Sequence, residues 1–217
     1  MKKYQHILVF IGILTIYSTA TAQSISHYFV QMPEKMIPTV KVETRKDLVD
    51  FFKNGKSAVM PAAIGGEIIL KEMSEDYLLL QTSESADLQL KLLQINDSLR
   101  IIAVVTTVAA PLKNSLIQFY STLWEPLHNI AFPQFTYLNF LDVDKAKTLG
   151  LADRFNEVSL RNFVAYKFQK DSPQMVVYTS LRKDISPEAQ KDFESVLKDS
   201  LTYDWNQGFF YLQKFGK

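Results

Sequence analysis

Cysteine is absent from this 217-residue chain, and only three histidines are present. The lack of cysteine removes disulfide staples, thiolate metal sites, cysteine nucleophiles and any lipid anchor carried on an N-terminal cysteine. Glycine and proline are sparse, at 7 and 8 residues, which excludes collagen-like and low-complexity sequence. Neither sign of charge dominates: there are 24 basic and 23 acidic residues. Setting aside Lys2 and Lys3 leaves 22 against 23, a net charge of −1 for residues 23–217, which is no electrostatic footprint for nucleic acid. No apolar run approaches the roughly 20 residues that cross a bilayer. What remains is 47% apolar and 22% charged, too hydrophobic for disorder and ordinary for a packed domain.

The N-terminus reads as an export signal. Lys2 and Lys3 precede an 11-residue apolar run over 7–17, followed by Ser18-Thr19-Ala20-Thr21-Ala22-Gln23. A charged start, a short apolar stretch and an A-x-A site make a cleavable signal peptide over 1–22, cut between Ala22 and Gln23. The expectation is therefore a periplasmic or secreted protein, not a lipoprotein, with no membrane span after cleavage. The 195 residues that follow (217 − 22) can bury a core without disulfides.

Periodicity predicts an α+β fold. Pro33 and Pro38 argue against a long helix over 23–43. A helix is expected over 44–54, with Thr44 and Asp47 as a capping box, Leu48, Phe51 and Phe52 as the buried stripe, and Gly55 as the stop. Short β-rich runs over 67–71, 77–83, 88–95, 99–108 and 116–124 read as an antiparallel meander. Leu88, Leu90 and Leu92 alternate with Gln89 and Lys91, as in a strand with one wet face. Beyond a Pro-flanked segment at 126–133 come a strand over 135–141, a short helix over 144–149, a hairpin of 163–169 with 175–181, a helix over 186–199 capped by Ser186, and a strand over 209–215. The expected architecture is antiparallel meanders with a few helices packed on one face, in two lobes: 23–128 (helix plus meander) and 129–217 (hairpin, helix, strand).

Catalytic signatures are weak, and the sequence assigns no catalytic, cofactor or metal residue. His27 and His128 survive cleavage, but no G-x-S-x-G elbow accompanies them. Asp142-x-Asp144 begins like a calcium loop, yet Lys147 stands where the loop needs glycine and Asp153 does not rescue it. Glu72, Glu75 and Asp76 crowd one turn; a paired-carboxylate hydrolase of glycans or envelope polymers is one reading, a solvated acidic turn the plainer one. Aromatics gather late in the chain, and alternation sets Phe209, Tyr211 and Phe215 opposite Phe210. With Trp205 they form a candidate ligand or partner surface, against core packing as the plainer reading. An internal cavity for an apolar ligand is a third possibility.

Two tripeptides, Asp97-Ser98-Leu99 and Asp199-Ser200-Leu201, resemble the D-(S/T)-apolar O-glycosylation acceptor of exported Bacteroidetes proteins, with Ser98, at a turn, the better placed. A broader likeness rests on Met32-Pro33-Glu34, the run from Arg45 to Phe51, Lys91-Leu92-Leu93, Asn96-Asp97-Ser98, Ala110-Pro111, Ser115, and Phe119-Tyr120-Ser121-Thr122 with Trp124. In these residues the chain resembles an uncharacterised exported family of Bacteroidales, a domain of unknown function (DUF3256). The resemblance implies a source and a compartment but no reaction. It also implies a cysteine pair around the Ala-Pro step, at positions held here by Ala109 and Lys113, so nothing this chain does can depend on that pair. Capping and helix-surface pairing account for Arg45 and Asp50. The sequence thus points to a non-catalytic binding module whose partner is a protein or glycan of the cell envelope.

Overall fold

The computed structural model describes residues 23–63, 65–109, 111–151, 163–184 and 186–213. Residues 1–22, expected as a signal peptide, lie outside the described residues, as do Asp153 and Phe215. Strands β1 (Val59–Pro61), β2 (Glu67–Met73), β3 (Tyr77–Ser83), β4 (Ala86–Gln94), β5 (Arg100–Ala109) and β6 (Lys113–Ser121) form a six-stranded antiparallel meander in sequence order. Strands β7 (Val164–Phe168), β8 (Gln174–Thr179), β9 (Ser200–Asn206) and β10 (Phe209–Leu212) form a second antiparallel sheet of four. The protein is α+β, as composition and periodicity predict.

The six-stranded sheet packs against other elements on both faces. Helices α1 (Ile25–Gln31) and α2 (Val42–Lys53) cover one, packing on Ile68, Leu78, Leu80, Leu90 and Ile102. The four-stranded sheet covers part of the other, where Tyr77, Leu93, Ala103 and Val105 meet Met175, Val177, Tyr203 and Trp205. Alternation sorts β4 and β5 cleanly: Leu88, Leu90, Leu92, Ile102 and Val104 face the helices, while Leu93, Ile101, Ala103 and Val105 face the second sheet. This second core draws on residues from both sides of position 128.

That layering corrects the wet face expected for β4. Gln89 and Lys91 are 4% and 0% exposed. They alternate with leucines because they meet the second sheet, not because they meet water.

Helix α2 starts at Val42, two residues before the expected cap, and Lys41 at its N-cap makes no side-chain bond. Arg45 is buried beneath α1 instead of lying on the helix surface, its guanidinium donating to the carbonyls of Phe29 (2.9 Å) and Met32 (2.5 Å). The far end matches expectation: Gly55 takes φ +65°, and Gly55 and Lys56 donate back to Phe52 and Phe51 in a Schellman closure.

Several elements differ from the periodicity. The strand expected over 135–141 is a 3-10 turn, Tyr137–Phe140, held by a reciprocal Thr136–Asn139 capping box. The helix α3 (Val143–Thr148) is capped by Asp142, whose carboxylate accepts from the Lys145 amide at 3.1 Å, and not by Asp144. The helix expected over 186–199 stops early: α5 covers Pro187–Phe193. The Asp142 amide then donates to the Val196 carbonyl and the Lys198 amide to that of Phe140, drawing the chain into an extended bridge that leads to β9. Strand β9 itself has no counterpart in the expected elements. A one-turn helix α4 (Leu181–Asp184) follows β8.

Candidate interaction surface

The β9–β10 hairpin turns on Gln207 and Gly208, at φ +46° and +100°, the left-handed pair that a two-residue loop of type I′ requires. The turn fixes which aromatics go in and which go out. Phe210 and its register partner Trp205 point into the core, with ring centroids 4.9 Å apart, and Trp205 donates its indole N–H to the Gln94 carbonyl at 2.6 Å. Phe209 and Tyr211 point outward, 52% and 54% exposed, their rings 6.4 Å apart. The proposed trio is thus divided: Trp205 is a core residue joining the two sheets, and Phe209 and Tyr211 form the surface.

Beside that surface lies an open strand edge. Position 213 bonds back to Thr202, so in the antiparallel ladder 209, 211 and 213 face β9 while the main-chain groups of Phe210 and Leu212 face away. No described strand pairs with them, and Leu212 is itself half-exposed.

The opposite edge of the same sheet is closed. Gln89 donates to the Tyr166 carbonyl and accepts from the Phe168 amide, both at 3.0 Å. Ser115 accepts from the Tyr166 amide at 3.1 Å and is held by Thr107 at 2.7 Å. Lys91 donates to the carbonyls of Gln169 and Lys170 and pairs with Asp76 at 2.8 Å. Side chains of the large sheet therefore satisfy the free backbone of β7. The sequence reads Gln89 and Lys91 as a wet face; their signal was polar residues alternating with leucine in a strand that is apolar on its other face, whereas Ser115 on β6 carries no such pattern.

The remaining candidates are scattered. The imidazoles of His27, on α1, and His128, exposed after β6, make no hydrogen bond or ion pair with a described residue, though the His27 ring meets Tyr28 edge-on. Asp76 is committed to Lys91 and to the Ser74 hydroxyl. Glu75 is exposed, and its main-chain carbonyl accepts from Ile25. Among the described residues no three His, Cys, Asp or Glu side chains gather as metal ligands. Ser98 sits exposed at the β4–β5 turn, where Asn96 Oδ1 accepts from the amides of Ser98 and Leu99. Ser200 lies half-buried at the start of β9. Positions 109 and 113 are register partners across the β5–β6 hairpin.

Between the sheets, the rings of Phe119, Phe132, Phe135, Tyr166, Tyr203 and Phe210 fill the core, with neighbouring centroids 5.2 to 6.3 Å apart. No helix of the described residues is long and apolar enough to cross a membrane.

A family model described as a protein of unknown function (DUF3256) matches residues 17–210. The fold is similar to that of a domain of an uncharacterized protein from Porphyromonas gingivalis W83, at 23% identity and a TM-score of 0.74, covering 88% of this chain and all (100%) of that one. No curated protein matches the chain.

Proposed function

We propose that this chain, which belongs to the DUF3256 family of proteins of unknown function, is an exported, non-catalytic interaction module of the cell envelope that docks an extended protein segment along β10. The observation that carries this reading is the asymmetry of the small sheet. One edge is closed by Gln89 and Ser115 with Lys91 just beyond β7, while the other offers main-chain groups at Phe210 and Leu212 that no described strand pairs, beside outward Phe209 and Tyr211. Exposed edges are ordinarily blunted by charge, proline or cover; an aromatic open edge is the geometry of strand addition. A carboxylate hydrolase gains no support, since Asp76 is engaged with Lys91.

Export fits the N-terminal geometry. Gln23 is exposed and α1 begins at Ile25, so cleavage after Ala22 would leave the first helix whole. Protein recovered from its own cells is expected to begin at Gln23. An added mass surviving denaturation would map to Ser98, on its exposed turn, and disappear in Ser98→Ala.

A photo-crosslinker placed at Tyr211 in the native envelope tests the docking. A discrete adduct is expected, lost in Leu212→Pro. Proline there removes one outward N–H and leaves the bonds to β9 intact. An adduct that persists in Leu212→Pro, or that forms equally from a crosslinker at Lys53, would sink the strand-addition reading.

A further inference from the structure

The large sheet is wider than the sheet that covers it. Where β7 is stitched to its face, the uncovered part of that face and the outer side of β7–β8 meet in a corner groove of about 490 Å³. Four lysines from four elements line it: Lys71 on β2, Lys113 on β6, Lys167 on β7 and Lys183 on α4. One carboxylate lines it with them, Asp87, already paired with Lys71 at 3.3 Å. Lys113, Lys167 and Lys183 are exposed and make no ion pair with any described residue. Residues 23–217 carry a net charge of −1 overall, so this concentration is local and not a reflection of a basic protein. The wall adds the ring of Tyr178, 41% exposed, on the outer side of β8.

We infer that this corner groove binds an acidic polysaccharide, its carboxylate or sulfate groups on the lysines and a sugar ring against Tyr178. The four lysines stand on four different elements around the groove, which suits repeated charges on a chain better than one compact phosphate. No arginine lines the groove, so it lacks the planar fork that selects a single bidentate anion. An exposed tyrosine face beside mobile ammonium groups matches a ligand with both an apolar ring face and negative substituents. The site stands apart from the β10 edge and does not depend on it.

The test is titration of the mature chain with polygalacturonate, neutral dextran and poly-glutamate at several salt concentrations. Polygalacturonate should bind and weaken steeply with salt, and dextran should not bind. Lys113→Gln with Lys183→Gln should lose roughly tenfold in affinity and flatten the salt dependence. Lys53→Gln with Lys56→Gln, exposed charges at the end of α2, should change neither. Tyr178→Ala should weaken binding with the salt dependence unchanged, which a purely electrostatic contact would not show. Absence of binding, equal loss in both lysine pairs, or poly-glutamate binding as tightly as polygalacturonate would overturn the assignment, the last outcome making the groove a site for acidic peptide.

Discussion

Lys91 and Gln89 are single side chains with a structural reach of a whole sheet. Gln89 offers its polar atoms to the edge of β7 and Lys91 to the carbonyls of Gln169 and Lys170 just beyond it, and each is buried, so removal strands main-chain groups away from water. Gln89→Leu should cost about 2 kcal/mol and Lys91→Met about 2–4 kcal/mol in denaturant midpoints, the second leaving two carbonyls without a donor. Asp76→Asn should cost under about 1 kcal/mol, because that carboxylate is 46% exposed and its pairing is screened. Arg45 shows the same logic on the other face. Burial lowers its pKa while Glu34 and Glu43 favour the charge, and its two carbonyl partners fix α1 to α2. Tyr77 is the opposite case: fully buried with a hydroxyl that has no hydrogen-bond partner among the described residues. Tyr77→Phe should raise stability by about 1 kcal/mol, since it removes an unsatisfied polar group without opening a cavity.

Tyr77 also sets a pH dependence. Burial, then Glu72 and Asp87, push its phenol well above the ordinary value of 10, with Lys91 5.7 Å from its ring. Burial raises Tyr120, Tyr166 and Tyr203 as well. A folded pKa above the unfolded one means the native state holds its proton longer. That contribution is complete below pH 10 and is lost as pH rises toward the folded value. Urea midpoints should therefore fall above pH 10, less steeply in Tyr77→Phe than in the parent.

At the scale of elements, the two β-hairpins at the sheet margins make distinct predictions. The β9–β10 loop holds Gln207, a residue with a Cβ, at φ +46°. Gln207→Asn should stabilise the hairpin by about 0.5 kcal/mol, since asparagine accepts that conformation and a type I′ loop favours it. Gly208→Ala should cost about 1 kcal/mol or more: the space is open, with Ile95 Cδ1 at 3.8 Å, but φ is +100°. On β5–β6, positions 109 and 113 lie opposite each other, at the separation antiparallel partners share with disulfides. A double change Ala109→Cys, Lys113→Cys should oxidise in air and add about 2 kcal/mol at most, because the loop it closes is short. Failure to oxidise would contradict the register.

For the molecule as a whole, the question is whether residues 23–128 and 129–217 behave as separate lobes. The inter-sheet core takes Tyr77, Leu93 and Phe119 from the first segment and Phe168, Met175 and Trp205 from the second. Calorimetry should accordingly show one cooperative transition; two resolved transitions would favour independent lobes. Phe210→Ala, which opens the ring cluster at that shared core, should cost about 3–5 kcal/mol and lower the single midpoint for both sheets together.

The sequence by itself determined the meander, the Leu48 stripe, the Gly55 stop and the β7–β8 hairpin, because each rests on local periodicity or on a residue that only certain backbone angles accept. Alternation also split β10 into Phe209 and Tyr211 on one face and Phe210 on the other, but which face meets the core was decided by the tertiary structure. The sequence could not determine what covers a polar face. Gln89, Lys91 and Arg45 look like surface residues in sequence; the structure buries all three and sets Ser115 against β7, because each meets a backbone edge or helix end far away along the chain. Trp205 moved from candidate surface to core for the same reason, as β9 exists only through its pairing with β8 and β10. The lysine groove belongs wholly to tertiary structure: its four charges are scattered from 71 to 183 in the chain, and only the mismatch in width between two sheets brings them to one corner.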